Sequence, residues 1–189
     1  MRNQKVSPLM RMVFTALFAA LVFVATYIVR IPIPLTGYVN LGDGMILFAA
    51  FLLGPWWSWP AAAIGAALAD LVAAYAVYIP GTFADKALTA IVAGLLFRLI
   101  MGRGERSTGR TLLAAVVAGV VGELVMAGGY LLYESLVLGY GWAAVAAVPA
   151  NLVQGAAGVV LATALYLALV PIGAFKRLFV QPESREREE

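Results

Sequence analysis

The chain has 189 residues, 63% of them hydrophobic, and the resulting total of about 119 apolar side chains is nearly what six membrane spans of about 20 residues use. With 12% charged residues and a mean hydropathy of +0.93, the composition excludes a soluble enzyme, a disordered chain and a fibrous repeat. The absence of cysteine and histidine removes disulfides, thiol nucleophiles and the commonest metal ligands, so no metal, cofactor or catalytic residue is expected, and the net charge of +3 on so apolar a chain points to membrane orientation rather than to nucleic acid.

In chain order, apolar stretches predict spans at 10–29, 44–55, 58–79, 83–101, 111–137 and 145–172. The first follows Arg2, Lys5 and Arg11 as a signal peptide would, yet its apolar run is too long for one and no small-residue cleavage site follows, so it reads as a retained helix. Ala16 and Ala20 on it, with Ala19 beside them, form a small-xxx-small pattern that lets another helix backbone come close. The loop at 30–43, with Pro32, Pro34 and Gly37, has neither helical nor strand periodicity over most of its length. It is expected to be a structured extracellular cover, with Gly42 and Gly44 permitting tight turns around Asp43.

The second span is too short for a full crossing and predicts a tilt, shared flanking residues or a re-entrant loop, with five crossings plus a hairpin as the alternative to six. Trp56, Trp57 and Trp59 follow at the turn into span three, where amphipathic rings anchor at the headgroups, and Ala61, Gly65 and Ala69 on span three suit internal packing. The segment GRGERSTGR lacks Walker spacing and reads as a hydrated turn. Eleven of the thirteen Lys and Arg residues precede span one, lie between spans four and five, or follow span six, which supports six spans with both termini cytoplasmic and leaves Arg30 and Lys86 in the outer half. The expected organisation is a cytoplasmic N-terminus at 1–9, one six-helix, all-α membrane domain at 10–175 and a charged cytoplasmic tail at 176–189.

Ionisable groups inside spans are costly enough that each is a candidate for function. Asp70 and Glu123 lie deepest and are expected to be architectural, below the reach of a ligand entering from outside. Asp85 and Lys86 open span four, where they would also suit an interfacial pair, and Glu134 lies near the outer end of span five. Helical spacing aligns Glu123, Met126 and Tyr130 on span five, Asn151, Gln154 and Gly158 on span six, Asp70, Ala74 and Tyr78 on span three, and Phe83, Lys86 and Ala90 on span four. Read singly, such amides and carboxylates often only bond helix to helix; their convergence on one end points to an outward cavity for a small, planar, polar ligand. The expected pocket uses Tyr78, Phe83, Lys86, Tyr130, Asn151 and Gln154, with Asn40 and Asp43 in the covering loop.

These features, with Ala16 and Ala20 in span one, the long first loop and Asn-x-x-Gln at Asn151 and Gln154, resemble the substrate-binding S components of energy-coupling factor (ECF) vitamin transporters over residues 10–175. The segments GYVNLGDGMILFAAFLLGP and ALADLVAAYAVYIPGTFADKAL look like the branch containing riboflavin-transporter-like and pyrimidine- or pyridoxine-type members. The resemblance implies high-affinity capture of a vitamin or precursor at the bacterial cytoplasmic membrane. It also implies a transmembrane coupling protein docked on the span-one alanines and two cytosolic ATPase subunits that supply power, in keeping with the lack of a Walker motif. The alternatives are a stand-alone oligomeric carrier or channel and, less favoured without His or Cys, a membrane enzyme built on Asp70 and Glu123.

Overall fold

The computed structural model describes residues 7–32, 37–102 and 107–170; Arg2, Lys5, Pro34, Arg103, Arg106 and the charged tail lie outside them. Six helices follow in order: α1 (Pro8–Ile28), α2 (Gly42–Leu53), α3 (Pro55–Val72), α4 (Ile79–Met101), α5 (Thr108–Leu132) and α6 (Val148–Leu169). Their starts are locally encoded. Ser7 and Ser107 accept from the backbone N–H groups of Met10 and Arg110, satisfying donors that a helix N-terminus leaves free, and prolines occupy the first turns of α1, α3, α4 and α6. The stretches Pro8–Ile28, Thr108–Val137 and Gly141–Leu169 are each long and apolar enough to cross a membrane by themselves. The helices turn many leucines and valines outward, Leu99 and Val160 among them, as a bundle bathed in lipid does.

The short second span is explained by its place. α2 packs against all five other helices, and every one of its residues except Met45 is buried, so its apolar character all round matches an environment that is protein all round. At 1.5 Å per residue its 12 residues span roughly 18 Å. Neighbouring helices, rather than its own length, shield its ends from lipid. At its C-terminus Gly54 turns the chain at φ 76° into α3, and Arg98 Nη2 donates to the Leu53 carbonyl at 2.9 Å, satisfying an acceptor that the helix end exposes. Phe51, Phe97 and Tyr166 bring α2, α4 and α6 together nearby, with ring centroids 4.7, 5.1 and 6.0 Å apart. Arg98 and Arg110 both lie at this end of the bundle, where Arg110 Nε donates to the carbonyl of Ile100.

At the opposite end several expected boundaries shift. The first loop contains a two-stranded antiparallel ladder, β1 (Ile31–Pro32) with β2 (Tyr38–Val39), in the register Ile31 to Val39 and Pro32 to Tyr38. Span three stops at Val72 instead of running to residue 79, because the chain turns through Ala74 at φ 64° into a single 3-10 turn, Ala76–Tyr78. Span four begins at Ile79 rather than 83, so Asp85 and Lys86 sit a full turn or more inside the helix and are buried, not interfacial. α5 continues through a π-helical turn, Tyr133–Val137, and α6 is preceded by a 3-10 segment, Gly141–Ala147. Gly42 and Gly44 do not form turns: both belong to the first turn of α2. There a Cβ would collide with Thr26 Oγ1 at Gly42 and with the Leu161 side chain at Gly44, so the glycines are fixed by close approach of neighbouring elements. On α3, Ala61, Gly65 and Ala69 are buried, and Gly65 meets the backbone of Ala19, as the small-residue pattern predicts.

Candidate ligand-binding site

The turn-rich end encloses a cavity whose wall comes from seven segments, α1 contributing Thr26. Tyr38 and Asn40 reach it from β2 and the residues after it, Asp70 from α3, Tyr75 and Tyr78 from the turn before α4, Thr82 and Lys86 from α4, Tyr130 and Glu134 from α5 and its π turn, and Asn151 and Gln154 from α6. Its inner side is a closed polar network. Lys86 Nζ and Asp43 Oδ1 form a buried ion pair at 2.7 Å, and Gln154 Nε2 donates to Asp43 Oδ2 at 2.5 Å. Gln154 Oε1 accepts from the backbone N–H of Asn40 at 2.7 Å and from its amide at 3.3 Å, while Asn40 Oδ1 accepts from the Gly42 N–H at 2.8 Å. Four of the expected site residues therefore act as one clamp joining the first loop, α2, α4 and α6. The attraction inside so apolar a surround offsets the cost of burying the two charges only because both Asp43 oxygens have partners.

Three further pairs line the cavity: Tyr38 donates to Asp70 Oδ1 at 2.7 Å, Tyr78 to Glu134 Oε1 at 3.2 Å, and Thr82 Oγ1 and Tyr130 share a hydrogen bond at 2.9 Å. The rings follow one another around the space, Tyr38 to Tyr75 at 5.0 Å, Tyr75 to Tyr78 at 6.2 Å and Tyr78 to Tyr130 at 6.5 Å between centroids. Burial, and then the adjacent Asp70 charge, push the Tyr38 phenol above its ordinary value of 10.0; burial and Glu134 do the same to Tyr78. A raised value favours the protonated phenol. Its stabilising contribution is thus fully in force below the unfolded value of about 10 and is lost as pH rises through the higher folded one. Tyr38→Phe is accordingly expected to cost about 1–3 kcal/mol, because it leaves a buried carboxylate oxygen without its donor, and thermal unfolding in detergent near neutral pH measures the loss.

Most of the expected pocket comes together, with three corrections. Phe83 is 41% exposed and does not reach the cavity: from the true helix start, Thr82 and Lys86, four apart, share the inward face and Phe83 lies about 100° round from Thr82. Asp43 is not in the covering loop but in the first turn of α2, fully buried behind the wall, where it holds Lys86 and Gln154. Asp70, expected below the ligand, is on the cavity wall, because α3 ends only two residues later. Glu123 does lie deeper, against Gly155 of α6, and Asp85 abuts Gly129 of α5. Neither of their carboxyl groups has a hydrogen-bond partner among the described residues. Sequence reasoning missed Tyr38, Tyr75 and Thr82. The available signal was tyrosine density, since four of the chain's eight tyrosines line this one space.

A family model described as the S component of ECF-type riboflavin transporters matches residues 8–171, which takes in every helix and the whole cavity wall. The chain belongs to this family. Its members are subunits of membrane transporters rather than enzymes, in accord with the apolar six-helix bundle. A protein of Pyrococcus woesei described only as an uncharacterized protein in a gap 3' region is 35% identical over 141 residues, covering 74% of this chain and 88% of that one. A solved S component of a bacterial ECF transporter shares the fold, with a TM-score of 0.64 and 23% identity over 87% of this chain and 98% of that one. Away from the cavity, a second, apolar groove of about 800 Å³ opens on the surface between α1 and α3. Ala16 and Ala20 are exposed on its floor beside Trp56, Trp57 and Trp59.

Proposed function

We propose that the chain is the high-affinity substrate-binding subunit of an ECF-type importer and that the tyrosine-walled cavity takes a small heteroaromatic vitamin or precursor from outside the cell. The observation that carries this reading is the junction of the first loop with α1, α3, α4, α5 and α6 around one buried polar and aromatic space at one end of a membrane bundle. In the family description the ligand is riboflavin; pyrimidine- and pyridoxine-like rings suit the same mixture of ring faces and amide edges. The free space is about 30 Å³, room for roughly two waters and far below the ~300 Å³ at which small-molecule sites begin. Entry of a ring therefore requires side chains to move. Tyr38 and Tyr78 are the ones placed to do so, since they stand on a two-residue strand and a single 3-10 turn rather than on a long helix, and their phenols donate to Asp70 and Glu134.

Power would come from a transmembrane coupling protein and two cytosolic ATPase subunits, with Ala16 and Ala20 in the apolar groove as the docking surface and the arginine-bearing end toward the cytoplasm. Mass spectrometry of small molecules that co-purify with the detergent-extracted protein tests the first half of the proposal. A heteroaromatic ligand bound stoichiometrically is the expected result, and turnover or unassisted transport of it by the isolated protein would contradict the reading. The amides on α6 separate binding from architecture. Asn151 lines the cavity without a hydrogen-bond partner among the described residues, so Asn151→Leu is expected to weaken ligand binding by about 1–3 kcal/mol in calorimetry while thermal stability holds. Gln154→Leu, which breaks the clamp on Asp43 and Asn40, should lower both.

A further inference from the structure

The interior of the bundle is unbalanced in charge. Among the described residues five carboxyl groups are buried, those of Asp43, Asp70, Asp85, Glu123 and Glu134, against a single buried ammonium, Lys86. That ammonium is already taken, at 2.7 Å, by Asp43. Two of the remaining acids line the cavity, Asp70 from α3 and Glu134 from the turn after α5. Each is at least 96% buried, each satisfies one oxygen with a tyrosine, and each leaves the other, Oδ2 and Oε2 respectively, without a hydrogen-bond partner. Thr82 stands near Asp70 as well, and in the bond it shares with Tyr130 either hydroxyl can donate. The same cavity is lined by the rings of Tyr38, Tyr75, Tyr78 and Tyr130. Arg30, the other cation at this end, is 4.3 Å from the Tyr27 ring and 6.0 Å from that of Tyr38, outside the cavity wall.

We infer that this site is built for an organic cation: a small ring or amine bearing a positive charge, held between the Asp70 and Glu134 carboxylates and against the tyrosine rings. Aromatic faces attract cations through their quadrupole, and the attraction grows when water is excluded. A positive ligand here supplies what the protein lacks, since a buried carboxylate is costly until paired and hydrogen-bonded. Lys86 over the Tyr130 ring at 5.1 Å shows the same contact made by the chain's own ammonium. An inorganic ion suits the site less well. No group of three His, Cys, Asp or Glu side chains among the described residues could hold a metal ion. The inference rests on the cavity being the ligand site and narrows the ligand class, setting a charged ring apart from an uncharged flavin.

The test uses the full chain in detergent at about pH 8 with two probes of one shape, N-methylpyridinium, which carries a permanent charge, and 3-methylpyridine, which is uncharged there. Riboflavin and sodium chloride form separate arms, and calorimetry and thermal shift are the readouts. The cation is expected to bind at least tenfold more tightly than its neutral counterpart. Asp70→Asn with Glu134→Gln should abolish that preference. If the double variant does not fold, Tyr75→Leu, which leaves every acid in place, should still weaken the cation at least threefold. Equal binding of the two methylpyridines, or binding of neither, overturns the inference. So does stabilisation by sodium ion with no preference between the probes. Tight riboflavin binding that the acid-to-amide changes leave intact also overturns it, yet leaves the importer reading standing; retention of a charged ring with no coupled uptake in cells would do the reverse.

Discussion

Lys86→Met is expected to destabilise the bundle by about 3–5 kcal/mol, lowering Tm by on the order of 10 °C, and to abolish ligand binding with it. The methionine nearly matches the lysine stem in shape, so little packing is lost. What is lost is the only partner that Asp43 Oδ1 has among the described residues, in a residue with no exposure to solvent. The carboxylate cannot turn to water, because α2 is enclosed by its neighbours, and Gln154 can serve only the oxygen it already serves. Asp43→Asn in the same chain removes the stranded charge and keeps an amide oxygen for Gln154. The double variant should therefore recover most of the lost stability, whereas Asp43→Asn alone strands the ammonium and should be damaging. Thermal unfolding of the four proteins in one detergent gives the cycle. Additive losses would mean that the pair contributes nothing beyond its separate side chains, and the clamp would then have to rest on Asn40 and Gln154 alone.

How far the sequence reaches is clear from these same residues. Six apolar stretches, the basic end and the convergence of Lys86, Tyr130, Asn151 and Gln154 were legible because helical period and lipid exclusion act within each segment. α2 was legible as an anomaly but not as the bundle's centre, since burial on all sides is set by five other helices. Phe83 misses the cavity for a smaller cause: α4 begins four residues before the expected 83, which brings Thr82 into the helix, and Thr82 with Lys86 takes the inward face. Asp70 was placed too deep for the same reason at the end of α3, where the left-handed turn at Ala74 shortens the helix with no proline or glycine to announce it. Tyr38 stands on a two-residue strand and Tyr75 in the turn before α4, both too short to carry a period, so nothing local says which way they point. The excess of buried acid over buried base was visible as a count, but only burial of all six groups makes it a property of one interior.

Replacing both Ala16 and Ala20 by Trp is expected to leave ligand binding in detergent unchanged and to eliminate coupled uptake. Both alanines lie on the exposed face of α1, while the opposite face, with Phe18, Val22 and Thr26, is buried against the bundle. Added bulk therefore projects away from the chain's own core. It fills the groove between α1 and α3, where the small side chains would allow a foreign helix backbone to come within packing distance and where close packing, not hydrophobic expulsion, drives association in lipid. The cavity is spared. Of α1 it uses only Thr26, six residues beyond Ala20 and roughly 9 Å further along the helix. Co-purification with the coupling protein should drop below detection and cellular uptake to background, while calorimetric affinity stays within about twofold. Loss of ligand affinity in parallel would place the alanines inside the packing of the S component itself. Undiminished uptake would move the docking surface to another face of the bundle, even though α1 offers the only pair of exposed alanines four apart that borders this groove among the described residues.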